Sequence, residues 1–442
     1  MAPNPTLMQA VEHLGYRVTV GDVATQAGLN VNMAQAGLLA LASDAGGHLQ
    51  VAETGEIVYL FPKNFRTVLR NKFLRLRLKE WWEKIWKVLF YLIRISFGII
   101  LIASIVLIFV AIAAILIAVN SSRDSDDSGG GHSHGGGGMV FMPRFWFGPD
   151  IWWFFYPDYS DRYERRRVSS PEGKRQMNFL EAVFSFLFGD GNPNVDLEER
   201  RWQEIATVIR NNQGAVTAEQ IAPYLDDMGK GWGKEYEDYM LPVLTRFNGQ
   251  PEVSPDGEIV YHFPELQTTA QERNSQPVGA YLRERPWRFS QADSGQIMLA
   301  AGLGAVNIIG ALVLNSLLRG EIGVQLAQSG GLIAFVQSIY WILLSYGIAF
   351  LSIPLIRYFW IQWRNQRIEA RNQQRQERAI LLNQANSALQ KKIAYAQQFA
   401  AKTVIGREDL AYTTETELIE QEIEQADKID AEWQRRLNQS GS

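Results

Sequence analysis

Two stretches of the chain alternate apolar and polar positions in the same order. Gly55-Glu56-Ile57-Val58-Tyr59-Leu60-Phe61-Pro62 returns as Gly257-Glu258-Ile259-Val260-Tyr261-His262-Phe263-Pro264, with seven of eight positions identical. The Ile-Val-Tyr-x-Phe alternation predicts a half-buried strand, and the Pro ends it. The match extends backwards: Val18-Thr19 with Val23-Ala24 reappears as Val216-Thr217 with Ile221-Ala222. Between these anchors apolar residues recur at helical spacing. They are Met33, Leu38, Leu39 and Leu41 in the first copy, and Tyr236, Tyr239, Met240, Val243 and Leu244 in the second, which carries four extra residues. Thr19 with Asp22, and Thr217 with Glu219, predict helix starts. Gly47 and Pro255-Asp256-Gly257 supply turn chemistry. The pattern predicts a duplicated unit of helix, short turn, helix and hairpin.

That order resembles a winged-helix domain. Winged helices usually bind DNA, and DNA affinity is dominated by Lys and Arg neutralising phosphates. From Val18 to Pro62 there is no Lys or Arg, against Asp22, Asp44, Glu53 and Glu56. The expected recognition helix, Asn32 to Ser43, carries no basic residue. From Val216 to Pro264 three basic residues (Lys230, Lys234, Arg246) face nine acidic ones. A duplex would repel such domains, so protein contact is expected and nucleic acid is not. The residues expected to dock a partner are Gly55, Tyr59, Phe61, Tyr236, Tyr239, Gly257, Tyr261 and Phe263.

Longer apolar runs predict membrane helices. Ile95 to Val119 is 25 residues without a charge, as is Ser294 to Leu318. Ile322 to Ile356 is a third uncharged run, with an expected span of 332–356. No ionisable residue lies inside them, so no proton relay or ion site is expected. Gly302, Gly304 and Gly310 read as helix-packing positions. Ahead of the first span, 63–94 holds ten basic and two acidic residues. Arg70, Lys72, Arg75, Arg77 and Lys79 with Trp81, Trp82 and Trp86 match an anchor on an anionic leaflet, or a solvated face that only sets orientation.

Charge placement gives conflicting orientations. Basic residues at 63–94 and at 357–378 put both ends on the cytoplasmic side. Three spans cannot do that. The aromatic segment 139–156, with Arg144, Pro149 and Asp150, is a poor spanning helix that could dip into the bilayer and reconcile the two. Both copies are then cytoplasmic; otherwise the second lies in the lumen or periplasm. The segment 129–138 contains His132 and His134. It reads as a flexible Gly-rich linker, since two His are too few for a metal site.

Composition narrows the chemistry. The 442 residues contain no Cys, which excludes disulfides, thiolate metal sites and a Cys nucleophile. The opening Met-Ala-Pro-Asn-Pro resembles neither a secretory signal nor a transit peptide. No catalytic constellation or phosphate loop emerges, so no enzyme and no cofactor are expected. Phe179 to Phe188 is a short aromatic helix stopped by Gly189-Asp190-Gly191-Asn192-Pro193. It is expected to pack on the second copy, with the membrane surface as the alternative. The tail reads as two amphipathic helices, one basic and polar over 357–402 and one acidic over 403–442. The second opens with a capping box at Thr414 and Glu417. An intramolecular hairpin is expected, with a coiled coil as the other solution.

The paired Gly-Glu-Ile-Val-Tyr-x-Phe-Pro ends, the Phe179 to Pro193 segment and the terminal membrane hairpin resemble a family of cyanobacterial and plastid thylakoid membrane proteins. Plant members of that family are labelled iron–sulfur cluster biosynthesis proteins and linked to photosystem I assembly. The absence of Cys speaks against direct cluster chemistry here. The expected architecture is α+β: two winged-helix-like repeats on an α-helical membrane protein with C-terminal amphipathic helices. Its parts are a first repeat over 1–62, a basic juxtamembrane helix over 63–94, a span over 95–119 and a linker over 120–177. There follow 178–264 for the aromatic helix plus second repeat, a linker over 265–293, spans over 294–318 and 332–356, and the two tail helices. The expected function is a multi-pass scaffold or assembly factor at the cytoplasmic surface of a thylakoid or plasma membrane. Its expected partners are membrane lipids and a membrane complex or assembly factors such as those of photosystem I. A membrane-tethered transcription regulator and a transporter or channel subunit are the rivals.

Overall fold

The computed structural model describes residues 4–72, 74–124, 177–229, 235–272, 274–421, 423, 426, 430 and 433–434. The expectations for 139–156 and for His132 and His134 lie outside these residues. The chain is mostly helical with small sheets. It divides into two compact units: Met1–Trp82 with Pro193–Pro286 and Arg367–Ser442, and Glu83–Asn192 with Trp287–Gln366.

The first unit holds both repeats. The first runs α1 (Pro5–His13), β1 (Arg17–Thr19), α2 (Val20–Ala27), α3 (Val31–Ala45), β2 (His48–Ala52), β3 (Ile57–Leu60) and α4 (Phe65–Lys72). Thr19 caps α2: its hydroxyl accepts from the Asp22 N–H, and the Asp22 carboxylate accepts from the Thr19 N–H. The second repeat runs α7 (Leu197–Asn211), β4 (Ala215–Thr217), α8 (Ala218–Ile221), α9 (Leu241–Phe247), β5 (Gln250–Val253) and β6 (Ile259–His262). At its helix start the expected Glu219 yields to Gln220, whose side-chain oxygen accepts from the Thr217 N–H at 2.9 Å.

The two sheets correspond strand for strand. Val18 pairs with Tyr59 and Leu49 with Tyr59 in one; Val216 pairs with Tyr261 and Pro251 with Tyr261 in the other. In each repeat the third strand, β3 or β6, lies between the other two. Gly55 and Gly257 turn the hairpins with φ of +89° and +84°, a conformation that penalises a side chain. One apolar core serves both copies. Val11, Leu38, Tyr59 and Phe65 pack in the same cluster as Ile205, Val216, Phe247 and Phe263.

The tail differs from the expected helical hairpin. Residues 403–442 do not form one helix: β8 (Thr403–Val404) pairs in parallel with β7 (Thr268–Thr269), which follows α10 (Pro264–Gln267), and β9 (Leu410–Thr413) extends the first sheet beside β2. Thr414, expected as a helix cap, instead donates its N–H to the Leu49 carbonyl at 2.9 Å. Helix resumes at 418–421. An unfilled sheet edge captured this segment, because unpaired backbone groups are a stronger demand than local helix propensity.

Among the described residues, the second unit holds three helices long and apolar enough to cross a membrane. They are α5 (Leu74–Asp124), α11 (Ser294–Leu318) and α13 (Gly331–Asn383), with α12 (Glu321–Gln328) between the last two. Helices α5 and α13 also run on into the first unit. The expected spans 95–119, 294–318 and 332–356 fall within these three helices. The boundary expected at 357 is absent, since α13 continues through Pro354 to Asn383. Gly304 and Gly310 allow close approach: a Cβ would lie 2.6 Å from Phe350 and 3.0 Å from Ile108. Gly302 meets nothing within 4 Å. Asn307, fully buried, donates to the Ser104 hydroxyl, a polar bond between apolar helices.

The aromatic helix α6 (Phe179–Phe188) lies in this unit and not on the second repeat as expected. Phe184 and Phe188 meet Phe97 at 5.7 and 5.0 Å, and Phe186 meets Phe350 at 5.8 Å. Its sharp stop has a mechanism. Asp190 accepts from Arg94 at 2.7 Å and from the Gln291 N–H at 2.8 Å. The Arg357 guanidinium takes the Phe186 carbonyl left open at the helix end, at 3.0 Å.

Candidate functional site

Helix α3 has one face in the core and one in solvent. Val31, Ala34, Leu38, Leu41, Ala42 and Ala45 are buried, at helical spacing. Asn32, Met33, Gln35, Ala36, Leu39, Ala40 and Ser43 form the outer face. Met33 is 65% and Leu39 53% exposed. No residue of that outer face is charged. Asn30 starts the helix by accepting from the Asn32 N–H at 2.9 Å, and Gly46 ends it with φ of +69°. Caps at both ends and a packed inner face make this outer face a preorganised apolar and amide surface.

The equivalent helix of the second repeat is turned inward. Arg246 of α9 donates from Nε to the Gly28 carbonyl at 2.9 Å and stacks 4.4 Å over the Trp202 ring. Asn30 donates to the Thr245 carbonyl at 3.2 Å. The α9 helix therefore joins the copies, leaving only Leu241 among its large apolar side chains strongly exposed.

Asp22 is the polar centre of the seam. It is 1% exposed and accepts from the Thr19 N–H at 3.0 Å, the Ala270 N–H at 2.9 Å and the Thr269 hydroxyl at 2.9 Å. Arg210 of α7 completes the set at 2.6 Å. Burial pushes the carboxyl pKa up; the Arg210 charge and these donors outweigh it and hold it below its ordinary value. A polar cleft of about 290 Å³ opens beside the pair, lined by Thr25, Asn211, Gln267 and Asn274 among others. No group of three or more His, Asp or Glu able to hold a metal occurs among the described residues.

A second charged centre ties the tail to the second repeat. Lys392 of α14 (Ser387–Ala396) is buried and reaches Glu237 at 2.6 Å and Glu219 at 2.9 Å, with Glu258 at 3.6 Å. Burial lowers the ammonium pKa, and the bonds to Glu237 and Glu219 raise it more, for a net rise. Glu237 also accepts from the Tyr261 hydroxyl at 2.8 Å. Nearby, Arg371 grips Glu284 through two bonds of 2.7 and 2.6 Å, and Arg375 bonds the same Glu284 at 2.9 Å and also Asp226. These arginines belong to the run that suggested a cytoplasmic C-terminus.

The structure redistributes the residues expected to dock. Tyr59, Phe61, Tyr261 and Phe263 are all at most 3% exposed and belong to the core, because the alternating strand is central in each sheet. Gly55 and Gly257 are turn residues. Tyr239 is half-buried against the core, and Tyr236 is exposed. Met33 and Leu39, both noticed only as part of a helical run, are the residues that face out. The signal was available: a helix with core positions at 34, 38, 41 and 45 leaves 33 and 39 off that face. Of the expected anchor, Lys72 pairs with Asp44 at 2.7 Å, Arg70 is exposed, and Trp81, Trp82 and Trp86 are each more than half exposed. Arg75, Arg77 and Lys79 lie on α5, whose backbone is continuous from Leu74.

No family model matches this chain, and no solved structure matches it. An uncharacterized chloroplastic protein of Arabidopsis thaliana is 42% identical to it over 445 aligned positions, covering 98% of this chain and 82% of that protein. The chain belongs to the family of that plastid protein. Identity at this level over nearly the whole chain takes in both repeats, the apolar helices and the tail together.

Proposed function

We propose that this protein is a multi-pass membrane scaffold or assembly factor of thylakoid-type membranes. Its repeats are winged-helix-like protein-docking modules at the cytoplasmic surface, and the process it serves is the biogenesis of a photosynthetic complex, photosystem I. The observation that carries this reading is the outer face of α3: preorganised, exposed, apolar and amide in character, and free of charge. In a winged helix this is the recognition helix. Without cations it has nothing to neutralise phosphates, whereas Met and Leu among amides suit a protein surface. The chloroplastic relative supports the plastid setting. The long apolar helices keep the domains near the membrane, which raises local concentration. Trp86, nearest the first span among the three tryptophans, serves as the interfacial anchor.

A mild-detergent pulldown from photosynthetic membranes tests the reading, with the full tagged chain compared with Met33→Glu/Leu39→Glu. Photosystem I subunits or their assembly factors recovered with the first and lost with the second are the expected result. Bait alone, or equal recovery with both chains, overturns it. Recovery of promoter DNA would move the regulator reading to first place.

A further inference from the structure

We propose that the second unit binds the headgroup of an anionic lipid at Arg364, in a clamp built with Trp287 and Trp360. Helix α13 leaves its uncharged run at Ile356. Arg357, the first charge beyond it, is satisfied within the chain: its guanidinium donates to the carbonyls of Ser185 at 3.2 Å and Phe186 at 3.0 Å, and to that of Phe289. Arg364, two turns further on, is not. Its guanidinium lies 4.9 Å from the centre of the Trp287 ring and 5.1 Å from that of Trp360. The residue is exposed, and no acceptor or carboxylate among the described residues meets its N–H groups. Stacking uses the face of a guanidinium and leaves its in-plane donors open for a bidentate oxyanion. The clamp is held ready. The Trp287 N–H donates to the Asn365 side-chain oxygen at 2.8 Å, the Asn365 amide returns a bond to the Trp287 carbonyl at 2.9 Å, and the two indole rings meet edge to face at 5.4 Å.

Depth and charge select the ligand. Side chains on a helix lean toward its N-terminus, so the Arg364 guanidinium stands level with Trp360, one turn back. Trp360 is four residues past Ile356, about 6 Å of helix. The headgroup layer is about 5–8 Å deep on each side. The open donors therefore stand at headgroup depth, a placement that rests on α13 crossing the bilayer as proposed above. Tyr358, Phe359, Trp360 and Trp363 are exposed around the site, as in an interfacial aromatic belt. From Arg357 to Gln366 there is no acidic residue. Asp293, the one acid over 287–293, caps α11 by accepting from the Gly295 N–H at 3.2 Å. Arg288, exposed and without an ion pair among the described residues, adds a second positive charge to this end of the unit. A headgroup with net negative charge is favoured here over a neutral or zwitterionic one.

The test uses the full chain, purified in mild detergent and offered equal amounts of phosphatidylglycerol and phosphatidylcholine with identical acyl chains. Retained lipid is read by native mass spectrometry. Wild type should keep phosphatidylglycerol at least tenfold over phosphatidylcholine. Arg364→Gln should lower that preference at least threefold, and Arg364→Lys, which keeps the charge without the planar fork, should fall between the two. Arg319→Gln removes an exposed arginine at the other end of α11 and should match wild type. The basic stretch 63–94 is unchanged in all four chains, so its contribution is common to them. No preference in wild type, a preference indifferent to Arg364→Gln, or an equal loss with Arg319→Gln overturns the proposal. Displacement of the lipid by an equal concentration of glycerol phosphate also overturns it, since the site would then take a soluble phosphate. An alkaline wash of the membranes separates the two readings. A chain that washes off retires the spans together with the lipid site; a chain that stays but shows no preference retires the lipid site alone.

Discussion

Each repeat has its own small sheet and a capped helix, and one core serves both, yet they face opposite ways in their use. In the first, α3 is fifteen residues long with a free outer face, and the sheet edge is closed by β9 from the far end of the chain. In the second, α9 is seven residues long, its Arg246 bonds the first copy, and among the described residues β5 pairs only with β6. Pro251 in β5 removes a donor from that edge and discourages pairing with another chain. The duplicated unit is thus used unequally: one copy presents a helix and takes β9 at its sheet edge, while the other turns its helix to the seam and holds Lys392 of the tail.

The largest expected effect is at the seam. Asp22→Asn removes the charge facing Arg210 while keeping the shape. Breaking a buried pair of this kind costs about 3–5 kcal/mol, read as a lower melting midpoint of the purified chain. The pH dependence has a definite sign. The folded carboxyl pKa is depressed, so its contribution is present above the ordinary value of 3.8 and fades as pH falls through the folded value. Wild type should lose stability in that acid window, and the variant should lose that part of the dependence. A cost below about 1 kcal/mol would mean that apolar packing alone joins the copies.

Gly21→Ala sharpens the same point with no charge involved. A Cβ at Gly21 would lie 1.9 Å from the Glu265 carbonyl oxygen, a backbone atom with little room to yield. Overpacking of this kind costs about 1–3 kcal/mol. Gly257→Ala serves as a control, because its Cβ meets open space and only the turn conformation is strained. If the two substitutions cost the same, the seam is looser than the geometry indicates.

Lys392→Met addresses the second copy alone. It leaves Glu237 and Glu219 without their cation. The latter is over a third exposed, so water screens part of the loss. The expected cost is about 1–2 kcal/mol. Because the folded ammonium pKa is raised, this contribution is complete below the ordinary value of 10.5 and is lost as pH rises through the folded value. Any difference between variant and wild type should therefore shrink in strong alkali. A cost that persists there would point to lost packing of the side-chain stem instead.

Much of this was legible beforehand, for reasons that are local. The Ile-Val-Tyr-x-Phe alternation, the Thr19 helix start and the uncharged runs each announce themselves within a few residues. What escaped was pairing at a distance. Val18-Thr19 and Val216-Thr217 were visible as a repeated pair, but three-residue strands are too short to show a period. That the alternating strand is central, and so hides Tyr59 and Tyr261, depends on these short strands pairing with it. Residues 410–413 read as part of a helix because nothing local reveals an open sheet edge some 360 residues earlier. The Phe179 to Phe188 helix read as aromatic and sharply stopped, which it is. Its neighbours Phe97 and Phe350 lie on helices that sequence order does not bring together.

The smallest expected effect on stability is the most informative about the division of work. Met33→Ser/Leu39→Ser alters two exposed side chains whose neighbours at 34, 38 and 41 hold the helix in place. Surface changes of this sort shift stability by no more than about 0.5 kcal/mol. Leu241→Ser makes the matching change on α9, where the side chain is likewise exposed. If the copies are specialised as described, the α3 variant loses partner recovery from photosynthetic membranes while melting with the wild type. The α9 variant melts similarly and keeps its partner. Loss of recovery with both would make the two helices one continuous surface, and loss with Leu241→Ser alone would reverse the roles of the copies.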